Sequence, residues 1–132
     1  MTAEPRWISK KALLLLHEMS LAEFGGERGI RDEGLLDSAL ARPLNLYAYK
    51  SEMSVTALAA AYAYGIVRNH PFIDGNKRAA FLAIGLFLGL NGYRLAADQM
   101  SAVQTIFDLA AGSVDEEGLS AWIEANMEPR LL

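Results

Sequence analysis

The chain has 132 residues, 52% apolar and 21% charged, which predicts one folded domain and excludes intrinsic disorder. Its 16 acidic residues outnumber its 12 basic ones, and the net charge of -4 argues against a general binder of nucleic acid or anionic lipid. The chain has no cysteine, which excludes disulfides, thiolate metal sites and cysteine nucleophiles.

The first predicted helix covers Lys10–Phe24. Ser9 precedes it and is a good N-cap, because a serine hydroxyl accepts a hydrogen bond from a free amide of the first turn. Gly25 and Gly26 follow it, and glycine readily adopts the left-handed conformation that ends many helices. The sequence therefore predicts both ends of this helix.

A short second helix is predicted from Asp32, a good N-cap, to Arg42. Pro43 is expected to end it, because proline has no amide hydrogen to donate within a helix. The segment that follows is irregular and aromatic, and we predict a loop there. The spacing of Tyr47 and Tyr49 also allows a brief strand or hairpin arm.

Two strongly apolar helices are predicted in the middle of the chain. The first is capped by Ser54 and ends at Arg68, before the break that Pro71 introduces. The second covers Asn76–Leu90. Because both are apolar on nearly every face, we expect them to be buried side by side as the core.

The last third of the chain is predicted to hold an extended piece at Tyr93–Ala97 and two further helices. Asp98 is a good N-cap for the fifth helix. Ser113 and Glu116 have the spacing of a capping box, which predicts the start of a sixth helix ending near Met127. Nothing in the sequence predicts a sheet, so we expect an all-α compact bundle of about six helices.

No segment predicts a membrane span or a signal peptide. The longest apolar run, Ala79–Leu90, has 12 residues, whereas a transmembrane helix needs about 20. The first ten residues carry charges and a proline in place of the apolar stretch of a signal peptide. We therefore expect a soluble, cytoplasmic protein.

Polar residues are concentrated in the segment Asn69–Arg78, between the two buried helices. Gly75 allows the backbone to approach a ligand closely, and the start of the next helix offers free N–H groups and a positive dipole end. Lys77 and Arg78 add two positive charges at the same place. This combination predicts an anion site suited to a polyphosphate.

Two other residues of this segment have side chains suited to metal binding and to proton transfer. Asp74 lies beside the predicted phosphate site, where one carboxylate commonly helps to hold Mg²⁺. His70 is the obvious proton acceptor with a pKa near neutrality. The alternatives are that His70 is a plain interhelical histidine, that Asp74 caps the amides of Asn76 or Lys77, and that the basic pair is a solvated first turn.

The pattern His70-x-Phe72-x-Asp74-Gly75-Asn76-x-Arg78 resembles the signature of the Fic/Doc superfamily. The resemblance extends over most of the chain, through the Gly-Gly pair after the first helix, Gly29–Leu36, the Arg42-Pro43 pair and the apolar helix after the motif. It implies a Fic/Doc-like fold as a single domain over residues 1–132.

The resemblance also implies an activity, the transfer of a phosphate-containing group from a nucleotide such as ATP to a protein hydroxyl. It implies that His70 is the base and that Asp74 holds Mg²⁺. The implied phosphate-binding residues are Gly75, Asn76, Lys77 and Arg78, and the last two also act in catalysis. Phe72 is expected to anchor the loop from below, while Asn76 either fixes the loop or reaches a phosphate.

Two departures from the common Fic pattern bear on the transferred group. Lys77 replaces a second glycine, and Phe81, which is expected to pack in its apolar helix, replaces a second arginine. In these positions the motif resembles that of the Doc toxins. This resemblance implies that the terminal phosphoryl group is transferred and that the target is a translation elongation factor. It also implies that the C-terminal segment of an antitoxin neutralises the protein. The alternatives are an AMP transferase and a catalytically silent binding protein.

The sequence also offers candidate residues outside the motif. Arg68 and Asn69 are secondary candidates for contact with a phosphate or a target chain. Tyr47 and Tyr49 lie where Fic-type proteins carry a flap that pairs with an extended target segment. His17 lies among leucines and is assigned no functional role.

Overall fold

The computed structural model describes residues 4–131, in which six helices and two short strands are found. No helix in this part of the chain is long and apolar enough to cross a bilayer. In chain order the elements are α1 (Lys10–Phe24), α2 (Glu33–Tyr49), α3 (Val55–Asn69), α4 (Asn76–Leu90), β1 (Tyr93–Leu95), α5 (Gln99–Ala111), α6 (Glu116–Asn126) and β2 (Met127–Pro129).

Helix α3 is the centre of the bundle and packs against α2, α4, α5 and α6. Its middle is fully buried, and its many alanines allow the neighbouring helices to approach closely. At Gly65 an added Cβ would lie 3.4 Å from the Cα of Ala39 in α2. Helix α4 supplies the other half of the core, with Phe87 and Leu88 fully buried. The prediction of two buried helices in tandem is confirmed.

Helix α2 is longer than predicted, because it continues through Pro43 to Tyr49. Pro43 is fully buried, and Tyr47 packs on the core with its ring 5.5 Å from that of Trp7. These contacts offset the backbone hydrogen bond that proline removes. The loop predicted from Pro43 to Met53 is therefore helical as far as Tyr49, and Tyr47 and Tyr49 form no extended arm with which a target segment could pair.

The capping box predicted at Ser113 was wrong. The N-cap of α6 is Asp115, whose carboxylate accepts a 2.7 Å hydrogen bond from the amide of Gly118. The carboxylate of Glu116 instead accepts hydrogen bonds from Nη1 and Nη2 of Arg42, at 2.5 and 2.7 Å, and this pairing raises the pKa of Arg42. Glu116, which the local pattern assigned to the cap, therefore forms a long-range ion pair with Arg42 instead.

The expectation of no sheet was also wrong. Strands β1 and β2 pair in antiparallel fashion, with Arg94 opposite Glu128, and these two side chains form a 2.6 Å ion pair. The extended piece at Tyr93–Ala97 was predicted, but its partner strand begins at Met127, which was expected to end α6. Three-residue strands are too short to show the alternation that identifies a strand in a sequence.

Candidate active site

The site is built on the loop between α3 and α4, which is held by the segment that precedes α2. The carbonyl oxygen of Pro71 accepts hydrogen bonds from the amides of Arg31 and Asp32, at 2.7 and 3.1 Å. The amide of Ile73 donates to the carbonyl of Gly29 at 3.1 Å. These backbone hydrogen bonds therefore fix the loop independently of its side chains.

His70 ends α3 in the left-handed conformation, with φ of 50° and ψ of 55°. Within residues 4–131 it is the one non-glycine residue with positive φ, a conformation that residues other than glycine seldom adopt. Arg31 stabilises it by donating from Nε to the His70 carbonyl, at 2.7 Å, and from Nη2 to the Asn69 carbonyl, at 2.9 Å. The imidazole is thereby presented to solvent from a fixed backbone.

Phe72 lies under the loop and is fully buried, as predicted. The side chain of Asn76, 6% exposed, bonds to it twice. Its Oδ1 accepts from the Phe72 amide and its Nδ2 donates to the Phe72 carbonyl, both at 2.9 Å. Of the two roles that the sequence left open for Asn76, this contact is the loop-fixing one.

His17, to which the sequence assigned no role, supports the same loop. It is 3% exposed, and its ring stacks on that of Phe72 with centroids 3.8 Å apart. Its Nε2 donates to the backbone carbonyl of Asp74 at 2.8 Å. Because 57 residues separate the partners, no local sequence signal marks this contact, and the same holds for Arg31.

The Asp74 carboxylate is exposed and lies at the turn into α4. Its Oδ2 accepts from the Glu27 amide at 3.1 Å and its Oδ1 from the Gly75 amide at 2.8 Å. These two hydrogen bonds lower the pKa of Asp74 below its ordinary value, so the group is ionised at neutral pH. It does not cap Asn76 or Lys77, because the N-cap of α4 is Gly75.

The start of α4 has the features of an anion site. Its N-cap makes no side-chain hydrogen bond, and no acidic residue lies in its first turn. Neither Lys77 nor Arg78 takes part in the ion pairs found between residues 4 and 131. Both cations rest on aromatic rings, Arg78 at 4.0 Å from the ring centre of Phe24 and Lys77 at 5.2 Å from that of Phe107.

The secondary candidates Arg68 and Asn69 both make hydrogen bonds within the helix bundle. Arg68 donates to the Tyr64 hydroxyl at 3.2 Å, one turn earlier in α3. Asn69 donates from Nδ2 to the carbonyl of Leu35 in α2 at 3.0 Å. Both residues lie in the last turn of α3, directly before His70. Their hydrogen bonds connect them to α2 and α3 and not to the loop.

The arrangement combines an exposed imidazole, an ionised carboxylate and an uncapped helix start with two unpaired cations. No cluster of three or more histidine, aspartate or glutamate residues that could hold a metal occurs in the described part of the chain. Asp74 fits Mg²⁺ as a single protein ligand, since its ionised carboxylate is exposed and this ion takes its other ligands from phosphates and water. The site can therefore accommodate a polyphosphate and accept a proton beside it.

The sequence model of the Fic/DOC family matches residues 7–88. "Toxin Doc" of Mycolicibacterium smegmatis is 47% identical over 76 residues, which are 57% of this chain and 58% of that protein. "Protein kinase doc" of Escherichia phage P1 is 32% identical over 90 residues, which are 68% of this chain and 71% of the relative.

Among solved structures, BepC of Bartonella tribocorum, a VirB-translocated effector with bound AMPPNP, is similar at a TM-score of 0.49 and 16% identity. The similarity covers 82% of this chain and 55% of BepC. The chain thus spans little more than half the length of this structure and of the M. smegmatis toxin.

Proposed function

The chain belongs to the Fic/DOC family, and from this we propose that it transfers a phosphate-containing group from a nucleoside triphosphate to a serine or threonine hydroxyl of a target protein. One observation carries the proposal. The exposed His70, on a backbone fixed by Arg31, precedes an uncapped helix start that carries Lys77 and Arg78. A base and a polyphosphate site are therefore built into one loop.

The transferred group is proposed to be the terminal phosphoryl group. The similarity to "Protein kinase doc" supports this, together with the two departures from the common Fic pattern. Lys77 occupies the position of a glycine and Phe81 that of an arginine, so a nucleotide bound here meets a cation where AMP-transferring relatives have a glycine and a ring where they have an arginine. An AMP transferase and a silent binding protein are the alternatives that the product assay below separates.

In the proposed reaction His70 accepts the proton of the target hydroxyl, while the oxygen of that hydroxyl bonds to the γ-phosphorus of the nucleotide. The bond from that phosphorus to the bridging oxygen breaks, and the nucleoside diphosphate leaves. Lys77, Arg78 and the free amides of α4 stabilise the negative charge during transfer, which is the main source of acceleration in such reactions. Asp74 would hold Mg²⁺, which neutralises phosphate charge when bound.

The proposed partners are a translation elongation factor as target and an antitoxin as inhibitor, both in the cytoplasm. The name of the M. smegmatis relative, a toxin, supports the second partner. An exposed apolar stripe on α1 suits the helical C-terminal segment of an antitoxin. Leu15 and Met19 are 60% and 58% exposed there, one turn apart, which is the spacing that a helix in a groove contacts.

The product assay tests the proposal directly. Purified protein is incubated with the elongation factor, ATP and Mg²⁺, and the intact target mass is measured. We expect a gain of about 80 Da for a phosphoryl group, whereas AMP would add about 329 Da. A target that gains AMP and never a phosphoryl group would reject the product assigned here, and an unchanged target would support the silent protein.

The role of Asp74 is tested by Asp74→Asn. With Mg²⁺ present, the affinity for ATP is expected to fall about tenfold, as for other losses around a metal site. Without Mg²⁺ the variant should bind ATP at least as tightly as the wild type, because a negative charge near the phosphates is gone. Titration calorimetry with Mg²⁺ and with EDTA measures both affinities.

The matched control for this variant is Asp32→Asn. Asp32 is the exposed N-cap of α2, and asparagine caps a helix equally well. This substitution removes the same charge in a neighbouring segment and should leave both affinities unchanged. If Asp74→Asn also left the affinity in Mg²⁺ unchanged, Asp74 would be a loop anchor and not a metal ligand.

A further inference from the structure

Two phenylalanines near the proposed phosphate site are exposed. Phe81 was expected to pack within its apolar helix, but the structure leaves it 37% exposed. Phe24, the last residue of α1, is 59% exposed and lies outside the core cluster of the described chain. A ring that stays mostly in water gains little stability from burial. A contact other than core packing therefore accounts for the position of Phe24.

Phe24 lies against Arg78, one of the two cations at the start of α4. The central carbon of the Arg78 guanidinium lies over the face of the ring, 4.0 Å from its centre. A planar guanidinium is attracted to the face of an aromatic ring and stacks on it. Arg78 takes part in none of the ion pairs found between residues 4 and 131. The ring therefore holds this guanidinium in place of an acidic side chain.

An acidic partner for Arg78 is available in the sequence. Asp74 lies four residues before it, which is the spacing at which an acidic and a basic side chain pair along a helix. In the described part of the chain the two side chains form no such pair. The Asp74 carboxylate accepts instead from the amides of Glu27 and Gly75. Both groups therefore keep their charge, the carboxylate for a metal ion and the guanidinium for a phosphate.

The end of α1 fixes the ring of Phe24 relative to this carboxylate. The amide of Gly25 donates to the carbonyl of Leu21 at 2.8 Å, which closes the helix directly after Phe24. At Gly26, where φ is 126°, an added Cβ would lie 3.2 Å from Oδ2 of Asp74. One tight turn therefore contacts the carboxylate and, just before it, carries the ring on which the guanidinium stacks.

We infer, on the basis of the proposed function, that Phe24 is a positioning residue of the phosphate site. It holds the Arg78 guanidinium toward the bound phosphates and prevents it from folding back onto Asp74. A ring suits this role better than a carboxylate, because it fixes the guanidinium and leaves its positive charge uncompensated. Lys77 lies over the ring of Phe107 at 5.2 Å, so both cations of the site are supported by neutral rings.

The test compares Phe24→Leu, which removes the ring and keeps an apolar side chain, with Phe24→Tyr, which keeps the ring. In Phe24→Leu the affinity for ATP with Mg²⁺ is expected to fall about threefold, as for the loss of an exposed cation–π contact. The rate of transfer from bound ATP should fall about tenfold, because a displaced guanidinium is poorly aligned with the transferred group. Phe24→Tyr should match the wild type in both quantities. Because the side chain is largely exposed, both variants should keep the wild-type melting temperature.

A double-mutant cycle shows whether Phe24 acts through Arg78. In the Arg78→Gln background, Phe24→Leu should cause no further loss of ATP affinity, because the guanidinium that the ring positions is gone. An equal loss in both backgrounds would overturn the inference, as would an unchanged affinity of Phe24→Leu or a Phe24→Tyr variant as weak as Phe24→Leu. Failure of the proposed function has a different signature, in which the cycle shows this coupling in ATP binding but the wild-type protein modifies no target.

Discussion

Replacing His70 with alanine is expected to reduce the rate of phosphoryl transfer by about a thousandfold, the usual contribution of a general base. The growth inhibition that we expect of the active protein in a host cell should be relieved. His70 acts on the target hydroxyl and contributes little to holding phosphates, so the affinity for ATP should change little. Single-turnover transfer and ATP titration measure the two quantities separately.

The backbone of His70 complicates the alanine variant, because its φ of 50° is unfavourable for most side chains. His70→Asn removes this complication, since asparagine tolerates the left-handed region and is not a base at neutral pH. Both variants should lose transfer, and the asparagine variant should retain the wild-type melting temperature. Transfer at the wild-type rate by either one would reject His70 as the base.

The starts of α1, α2, α3 and α5 were well predicted, because their signals are local. Ser9, Asp32, Ser54 and Asp98 each accept a hydrogen bond from the amide three residues on, as a side-chain cap does. Such a bond needs only the residues of one turn. The propensities that create it are therefore visible in the sequence itself.

The errors arose where distant residues outweigh a local pattern. Pro43 ends a helix in isolation, but its burial in the core keeps α2 continuous to Tyr49. Glu116 is diverted from Ser113 to Arg42, which lies 74 residues earlier in the chain. Neither contact can be inferred until the packing of α2 against α3 and of α6 against α3 is known.

In the candidate site, too, local features could be predicted from the sequence and distant contacts could not. The motif identifies the polar residues from His70 to Arg78, because their chemistry is concentrated in one stretch of sequence. The residues that hold the stretch in place, His17 and Arg31, come from distant segments and are ordinary in their own surroundings. Sequence reasoning can therefore predict the groups that are proposed to act and the anchor Phe72 within the motif, but not the positioning residues that come from distant segments.

Asn76→Ala is expected to lower both stability and transfer. It leaves the amide and the carbonyl of Phe72 buried without partners. Each such loss costs about 1–3 kcal/mol, so the free energy of unfolding should fall by about 2–6 kcal/mol. The melting temperature should fall by roughly 10–20 °C. Below that transition, transfer should still be reduced, because Phe72 lies between His70 and Asp74 and fixes their separation.

Asn91→Ala separates this effect from a general loss of stability. Asn91 is the C-cap at the other end of α4, and its amide bonds to the backbone of Arg6 and to the carbonyl of Phe87 at 2.8 to 3.0 Å. Its loss should lower the melting temperature and leave kcat unchanged at temperatures where the protein is folded. If Asn91→Ala reduced kcat as much as Asn76→Ala, the loss would reflect the stability of α4 as a whole, and Asn76 would not be a positioning residue of the site.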